Sequence, residues 1–306
     1  MRLPQPFLYA LLASAPVFAS PHAMAPLDTR AFATAASGAL VPGGIVPNFR
    51  LTDHRGVTRE LYYDTTAKAT VLVFTSAGSA RAVQTAAALR ALRARFSASD
   101  VIIWQIDSGA GTLRAAVAAE QTLTNNDTPV LLDDAQLVAT ELGVTRELET
   151  FVIGAVPFSF IAYRGPLDNA DPASLAAPTD NFAAEAVAAV LAGRTPAQPG
   201  VPMSAVAPFL DLLPAPSINY ATDVAPVVLR RCVSCHSPGN IAPHSYAKFD
   251  DLATRASSVR ASLLQKRMSP WHADPQFGAF ANELGATPAE IATVHAWARA
   301  GAPRGT

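Results

Sequence analysis

The only two cysteines of this 306-residue chain stand three positions apart and are followed at once by a histidine: Cys232-Val233-Ser234-Cys235-His236. With all its cysteine in one five-residue word, the chain has no disulfide framework and must fold by burying apolar surface. Half of its residues are hydrophobic and only 15% are charged, so material for packed cores is ample. C-x-x-C-H is the attachment signature of a c-type haem. If the stretch is helical, positions i, i+3 and i+4 share a face. Two thiols then meet the porphyrin vinyl groups while His236 offers a nitrogen to iron from the same side. A C-x-x-C pair also serves as a redox dithiol or as half of a zinc site. The sequence has no second cysteine pair, and His22, His54, His244, His272 and His295 show no ligand spacing.

The length suggests two domains. A net charge of −1 gives no reason to expect nucleic acid or an anionic surface as partner. At the N-terminus, Met1-Arg2 precedes a mostly apolar Phe7 to Phe18, broken by Pro16, with cleavage positions after Ala19 or Ala25. Residues 1–25 therefore read as a signal peptide, too short for a membrane span. The expected location is periplasmic or otherwise extracytoplasmic, with no transmembrane segment after signal removal.

From residue 40 to 195 strands and helices alternate, which argues for an α/β sheet covered on both faces. Val46 to Gly56 reads as a strand and turn. Thr70 to Thr75, Val101 to Asp107 and Pro129 to Asp133 are apolar runs suited to buried strands. Ala80 to Phe96, Leu113 to Gln121 and Asn181 to Leu191 have helical spacing. A further helix runs to Leu142, with Asp134 as its cap and Gly143 as its stop. Thr150 to Ile153 and Phe158 to Tyr163 read as an antiparallel strand pair.

Val46-Pro-Asn-Phe-Arg-Leu-Thr-Asp-His-Arg-Gly56, Val71-Leu-Val-Phe-Thr-Ser76, Thr150-Phe-Val-Ile153 and Tyr163-Arg-Gly-Pro-Leu-Asp168 resemble the redoxin family, the peroxiredoxins and thioredoxin-like proteins. The resemblance implies a reactive cysteine at the start of the helix after the first buried strand, where the helix N-terminus favours thiolate. Here that segment is Thr75-Ser-Ala-Gly-Ser-Ala-Arg81, with Ser79 nearest the family's cysteine. The family's proline before the last-but-one strand is replaced by Leu148-Glu149, and Pro157 follows that strand instead. No cysteine precedes residue 232, so thiol peroxidase chemistry is not expected in this part. Ser79 reads as a helix cap; as a nucleophile it would need a base, with His54 the one candidate.

Residues 196–217 are proline-rich and read as an extended, semi-rigid linker. In 218–306, Asp223 can cap a helix from Val224, with Pro226 in its first turn and the two cysteines at its end. A second helix is expected from Asp250 or Asp251 through Lys266, with Leu252, Ala256, Val259 and Leu263 as its stripe. Thr287-Pro-Ala-Glu290 is a capping box opening a last helix with Ile291, Val294 and Trp297 inward, ended by Gly301 and Pro303. This segment resembles class I cytochrome c on Cys232, Cys235, His236 and the closing Ala296-Trp-Ala-Arg-Ala-Gly-Ala-Pro303. With the redoxin part it is similar to bacterial redoxin–cytochrome fusions, in which a word like Met268-Ser-Pro-Trp-His272 recurs. Some fusions continue into a copper type II monooxygenase domain; the chain ends at Thr306, so that activity is not expected here.

The expectation is thus an α/β thioredoxin-like domain followed by a small all-α cytochrome c domain holding one covalent haem c. His236 and Met268 are the expected iron ligands, with His272, His244 or an open position as alternatives to Met268. A carbonyl near Pro243 is expected to hold the second nitrogen of His236. Trp271 and Trp297 are expected as haem-wall packing. The function expected is single-electron transfer with an unidentified redox partner protein, the thiol-free domain serving recognition. The alternative is a haem peroxidase or gas sensor with a displaceable sixth ligand.

Overall fold

A computed structural model describes residues 40–63, 66–155, 159–170, 178–212, 218–268, 273–274, 277–278, 280–281 and 283–305. The expected signal peptide, Trp271, His272 and Pro157 lie outside the described residues. In chain order the α/β part contains β1 (Arg50–Asp53), β2 (Thr58–Glu60), β3 (Ala69–Thr75), α1 (Ala82–Arg95), β4 (Val101–Asp107), α2 (Arg114–Leu123), β5 (Val130–Leu132), α3 (Leu137–Leu142), β6 (Glu149–Gly154), β7 (Phe160–Pro166) and α4 (Phe182–Leu191).

These strands form one seven-stranded sheet in the order β2-β1-β5-β4-β3-β6-β7. β3, β4 and β5 run parallel, and β6 and β7 are antiparallel as expected. Successive side chains of a strand face opposite ways, so the apolar residues of β3 and β4 feed two cores. Leu72, Phe74, Trp104 and Ile106 enter one, with Phe151 and α3. Val71, Val73, Val101 and Ile103 enter the other, under Leu89 and Leu92 of α1 and Ala183 and Val187 of α4. Each such large side chain contributes about 1.5–3 kcal/mol by leaving water. The β3–α1–β4 and β6–β7–α4 arrangement is thioredoxin-like, as the resemblance implied.

Two local expectations change, and β2 is a strand that the sequence reading did not include. β2, Thr-Arg-Glu, has no apolar pattern; it forms because the buried Asp53 carboxylate accepts from Arg55 N and Val57 N at 2.9 Å each. The Arg50–Glu60 pair then ties the two strands together. The residue at the α3 cap is Gln136, and the first-turn N–H groups are met by Asp133, not Asp134: its carboxylate accepts from Ala139 N at 2.9 Å and Val138 N at 3.2 Å. Gly143 does end α3, at φ +65°, which glycine adopts without a Cβ penalty. Ser79 does not cap α1: the residue at that cap is Arg81, with no side-chain cap bond.

The proline-rich segment is not a free spacer over its described length. Arg164 N donates to Pro199 O, Val201 N to Arg164 O, Glu147 N to Pro208 O and Leu210 N to Thr145 O. Leu210 is buried in the α/β core.

Residues 218–305 are helical, with no strand among the described residues. A π-helical turn, Tyr220–Val224, leads into α5 (Ala225–Arg231), followed by α6 (Phe249–Ala253), α7 (Ala256–Leu264) and α8 (Pro288–Arg299). The first helix starts earlier than expected. Asn219 is its cap, and Asp223 instead reaches back to accept from Asn219 N at 2.7 Å. Pro226 has no N–H for an i→i−4 bond, and the turn before it widens so that Ala225 N donates to Tyr220 O. The expected helix through Lys266 is broken at Thr254–Arg255 into α6 and α7.

α7 and α8 also face the α/β part: Leu264 is buried in its core, with Leu263, Ile291 and Ala292 packed against it. The two parts belong to one compact unit.

Candidate functional site

α5 carries Val227 and Val228, with Val224 of the turn before it, into a cluster with Leu252, Val294 and Trp297. It ends at Arg231, so the cysteine motif occupies the turn just beyond it. Cys232 N still donates to Val228 O at 2.9 Å, Cys235 N to Cys232 O at 3.1 Å and His236 N to Cys232 O at 2.8 Å. These bonds continue the coil for one more turn and keep the three side chains at one place. Arg230 and Arg231 pair with Glu290 at 3.1 and 3.0 Å, and Glu290 also closes the capping box of α8 with Thr287. One carboxylate therefore fixes the end of α5 against the start of α8.

The loop after the motif folds back on it. Ala242 N donates to Cys235 O at 3.2 Å, and Tyr246 N to His236 O at 2.8 Å. His236 is 8% exposed, and its Nδ1 lies 2.9 Å from His244 O. That carbonyl, one residue beyond Pro243, can accept a hydrogen bond from Nδ1–H and leave Nε2 with its lone pair available to a ligand. The Tyr246 ring stacks on the imidazole with centroids 4.2 Å apart and planes at 14°.

Cys232, Cys235, His236 and Met268 all line one cavity of about 630 Å3, within the ~300–1,000 Å3 usual for ligand pockets. Val227, Val228, Leu252, Val259, Leu263 and Val294 supply apolar walls. Ile241, Phe280 and Leu284 line the same space yet are more than half exposed. Large apolar side chains held open to solvent around a cavity mark a binding surface for an apolar group. Burial first, then Cys235 and Glu290, push the Cys232 thiol up to about 11. The motif also follows a helix C-terminus, the end that disfavours thiolate. Among the described residues no three His, Cys, Asp or Glu side chains gather as a metal site.

The structure thus brings the four expected site residues to one cavity. The His244 side chain is exposed and absent from the cavity; only its carbonyl takes part. Trp297 departs from its expected place. It is fully buried among Tyr220 and Phe249, away from the cavity, with Nε1 donating to Pro303 O at 2.8 Å. Tyr246 and the Arg231–Glu290 pair were not foreseen, because neither sits at a spacing that marks a motif.

At the β3–α1 junction Ser79 Oγ donates to Glu147 Oε2 at 2.7 Å. His54, the base considered for it, has Nδ1 accepting from Val130 N at 3.1 Å. Leu148 stands where the redoxin resemblance implies proline and has φ +63°, a conformation costing roughly 1–3 kcal/mol for a side-chain-bearing residue. Leu148 N donates to Phe74 O at 2.7 Å, and Thr150 Oγ1 to Leu148 O at 3.0 Å, which hold it there. Glu147, Arg81, Asp168 and the linker's Met203 line a second cavity, of about 380 Å3. Among the described residues no helix is long and apolar enough to cross a membrane.

No protein-family model matches this sequence, and no curated protein matches it. Solved structures do. A hypothetical protein from Sinorhizobium meliloti aligns at 20% identity and TM-score 0.50, covering 58% of this chain and 97% of its own. An uncharacterized conserved protein from Geobacillus kaustophilus aligns at 19% identity and TM-score 0.49, covering 58% and 95%. The peroxidoxin BcpB of Mycobacterium tuberculosis aligns at 22% identity and TM-score 0.38, covering 51% and 99%. At these identities likeness concerns fold alone, and the fold of the α/β part is thioredoxin-like.

Proposed function

We propose that Cys232 and Cys235 hold one haem c as thioethers, that His236 Nε2 and the Met268 sulfur are its iron ligands, and that the protein is an extracytoplasmic single-electron carrier. The observation that carries this reading is the convergence of all four side chains on one largely apolar cavity of about 630 Å3. The residues fit the group. Bound haem would supply a one-electron redox centre, its potential set by the axial ligands and the dryness of the pocket.

The chain's own residues do the rest. The His244 carbonyl holds Nδ1 and leaves Nε2 directed to a ligand. The valines of α5, α7 and α8 exclude water. Arg230 and Arg231 on Glu290 hold the motif against α8. A redox dithiol fits the site less well: its attacking sulfur needs a lowered pKa, and Cys232 is raised to about 11 behind a helix C-terminus. The thiol-free thioredoxin-like part would recognise the donor or acceptor protein; the charge balance favours no nucleic acid.

Met268 is 41% exposed, which favours a second reading: a peroxidase or gas sensor in which the thioether is displaced. Carbon monoxide added to reduced, purified protein discriminates. An unchanged spectrum with reversible oxidation and reduction supports the carrier, and rapid carbon monoxide binding supports the sensor or peroxidase. A protein that shows no reversible reduction contradicts the carrier.

A further inference from the structure

The His244 carbonyl holds the His236 ring at one atom, Nδ1. Tethered at Cβ and held by this one contact in its own plane, the ring keeps freedom to tilt. The Tyr246 ring removes that freedom, lying nearly parallel to the imidazole at 4.2 Å and 14°. Tyr246 is itself fixed by its backbone N–H, which donates to His236 O at 2.8 Å. The two residues therefore close a ring of contacts in which the imidazole's edge and face are both defined. Both line the 630 Å3 cavity. Stacked aromatic faces attract beyond the area they bury, and a ligand held by two independent contacts is held in one plane.

We infer that Tyr246 is a positioning residue that sets the plane of the His236 imidazole against a group bound at Nε2. The inference rests on the haem reading above. In an oxidised low-spin haem the plane of an axial imidazole fixes how unpaired spin spreads over the porphyrin. That spread is visible in the electron paramagnetic resonance g values and the paramagnetically shifted haem methyl signals, and a loss of packing that left the imidazole plane in place would not move it.

The test compares full-length protein from a host that matures c-type cytochromes with Tyr246→Phe and Tyr246→Leu. Phenylalanine keeps the flat face; leucine fills part of the volume without one. The expected result is unchanged g values and methyl shifts in Tyr246→Phe and displaced, broadened ones in Tyr246→Leu, with covalent haem in all three. Should the leucine variant not fold, Tyr246→Met takes its place. A leucine or methionine variant with wild-type g values and methyl shifts overturns the role of Tyr246 and leaves the haem reading standing. Wild-type protein without covalent haem overturns both.

Discussion

Glu141 of α3 and His295 of α8 meet at 2.7 Å in the contact between the α/β part and the helical part, with both side chains almost wholly buried. Arg260 of α7 grips the same carboxylate through two nitrogens, Nε at 2.6 Å from Oε1 and Nη2 on Oε2. Burial works against the charge of Glu141. The His295 and Arg260 contacts outweigh it and hold the carboxyl down at about 2. One residue of the thioredoxin-like part thus ties down α7 and α8, two of the helices that line the candidate haem cavity.

Replacing Glu141 by Gln should destabilise the whole chain by about 2–4 kcal/mol, somewhat under the loss for a fully buried pair because Arg260 is partly solvated. The group's folded pKa is depressed from an ordinary 4.5, so its contribution is full above 4.5 and lost as pH falls toward about 2. Urea midpoints of both proteins should differ at pH 7 and converge between those values. A constant gap down to pH 2.5 would show that the charge is not what holds the helices.

Asp133 behaves oppositely. Burial raises its carboxyl to about 7, against the bonds from Ala139 N, Val138 N and Ser108 Oγ. A folded state that keeps a proton the unfolded chain releases loses stability as pH rises from about 4 to about 7. Asp133→Asn should flatten that slope while keeping an oxygen to cap α3. Equal slopes for both proteins in urea titrations from pH 4.5 to 7.5 would remove the assignment.

Trp297 packs the helical part rather than the cavity. Trp297→Ala should cost about 3–5 kcal/mol, the range for emptying a large core site. Trp297→Phe should recover most of it while losing the bond to Pro303 O. Thermal unfolding of the three proteins reads this. Full stability in the alanine variant would place the indole outside the core.

If haem c is held as proposed, Met268→Ala should leave it covalently attached and lower the midpoint potential, since a thioether favours reduced iron. A potential equal to that of the wild type would assign the sixth position to another ligand.

Much of the fold is legible in the sequence because its signals are local. β3 is a continuous apolar run and β4 a mostly apolar one, α8 opens on Thr287-Pro-Ala-Glu290, and the cysteine motif stands within five residues. What escapes is set by partners far along the chain. β2 depends on Asp53 and the Arg50–Glu60 pair, and the seat of residues 199–210 depends on Thr145, Glu147 and Arg164. The choice of Asp133 over its neighbour depends on which carboxylate faces the N–H groups of α3. Tyr246 acquires its place only when the loop from 237 to 245 closes, and Trp297 leaves the cavity wall only when Tyr220 and Phe249 arrive to cover it.

The most direct measurement is a pyridine haemochrome spectrum of protein purified from a host that matures c-type cytochromes, taken before and after acidic acetone extraction. The account predicts one haem per chain, not extractable, with the spectrum of a porphyrin whose two vinyl groups are saturated, and none in a Cys232→Ala, Cys235→Ala double variant. Colourless wild-type protein, or haem that extracts freely, would contradict it.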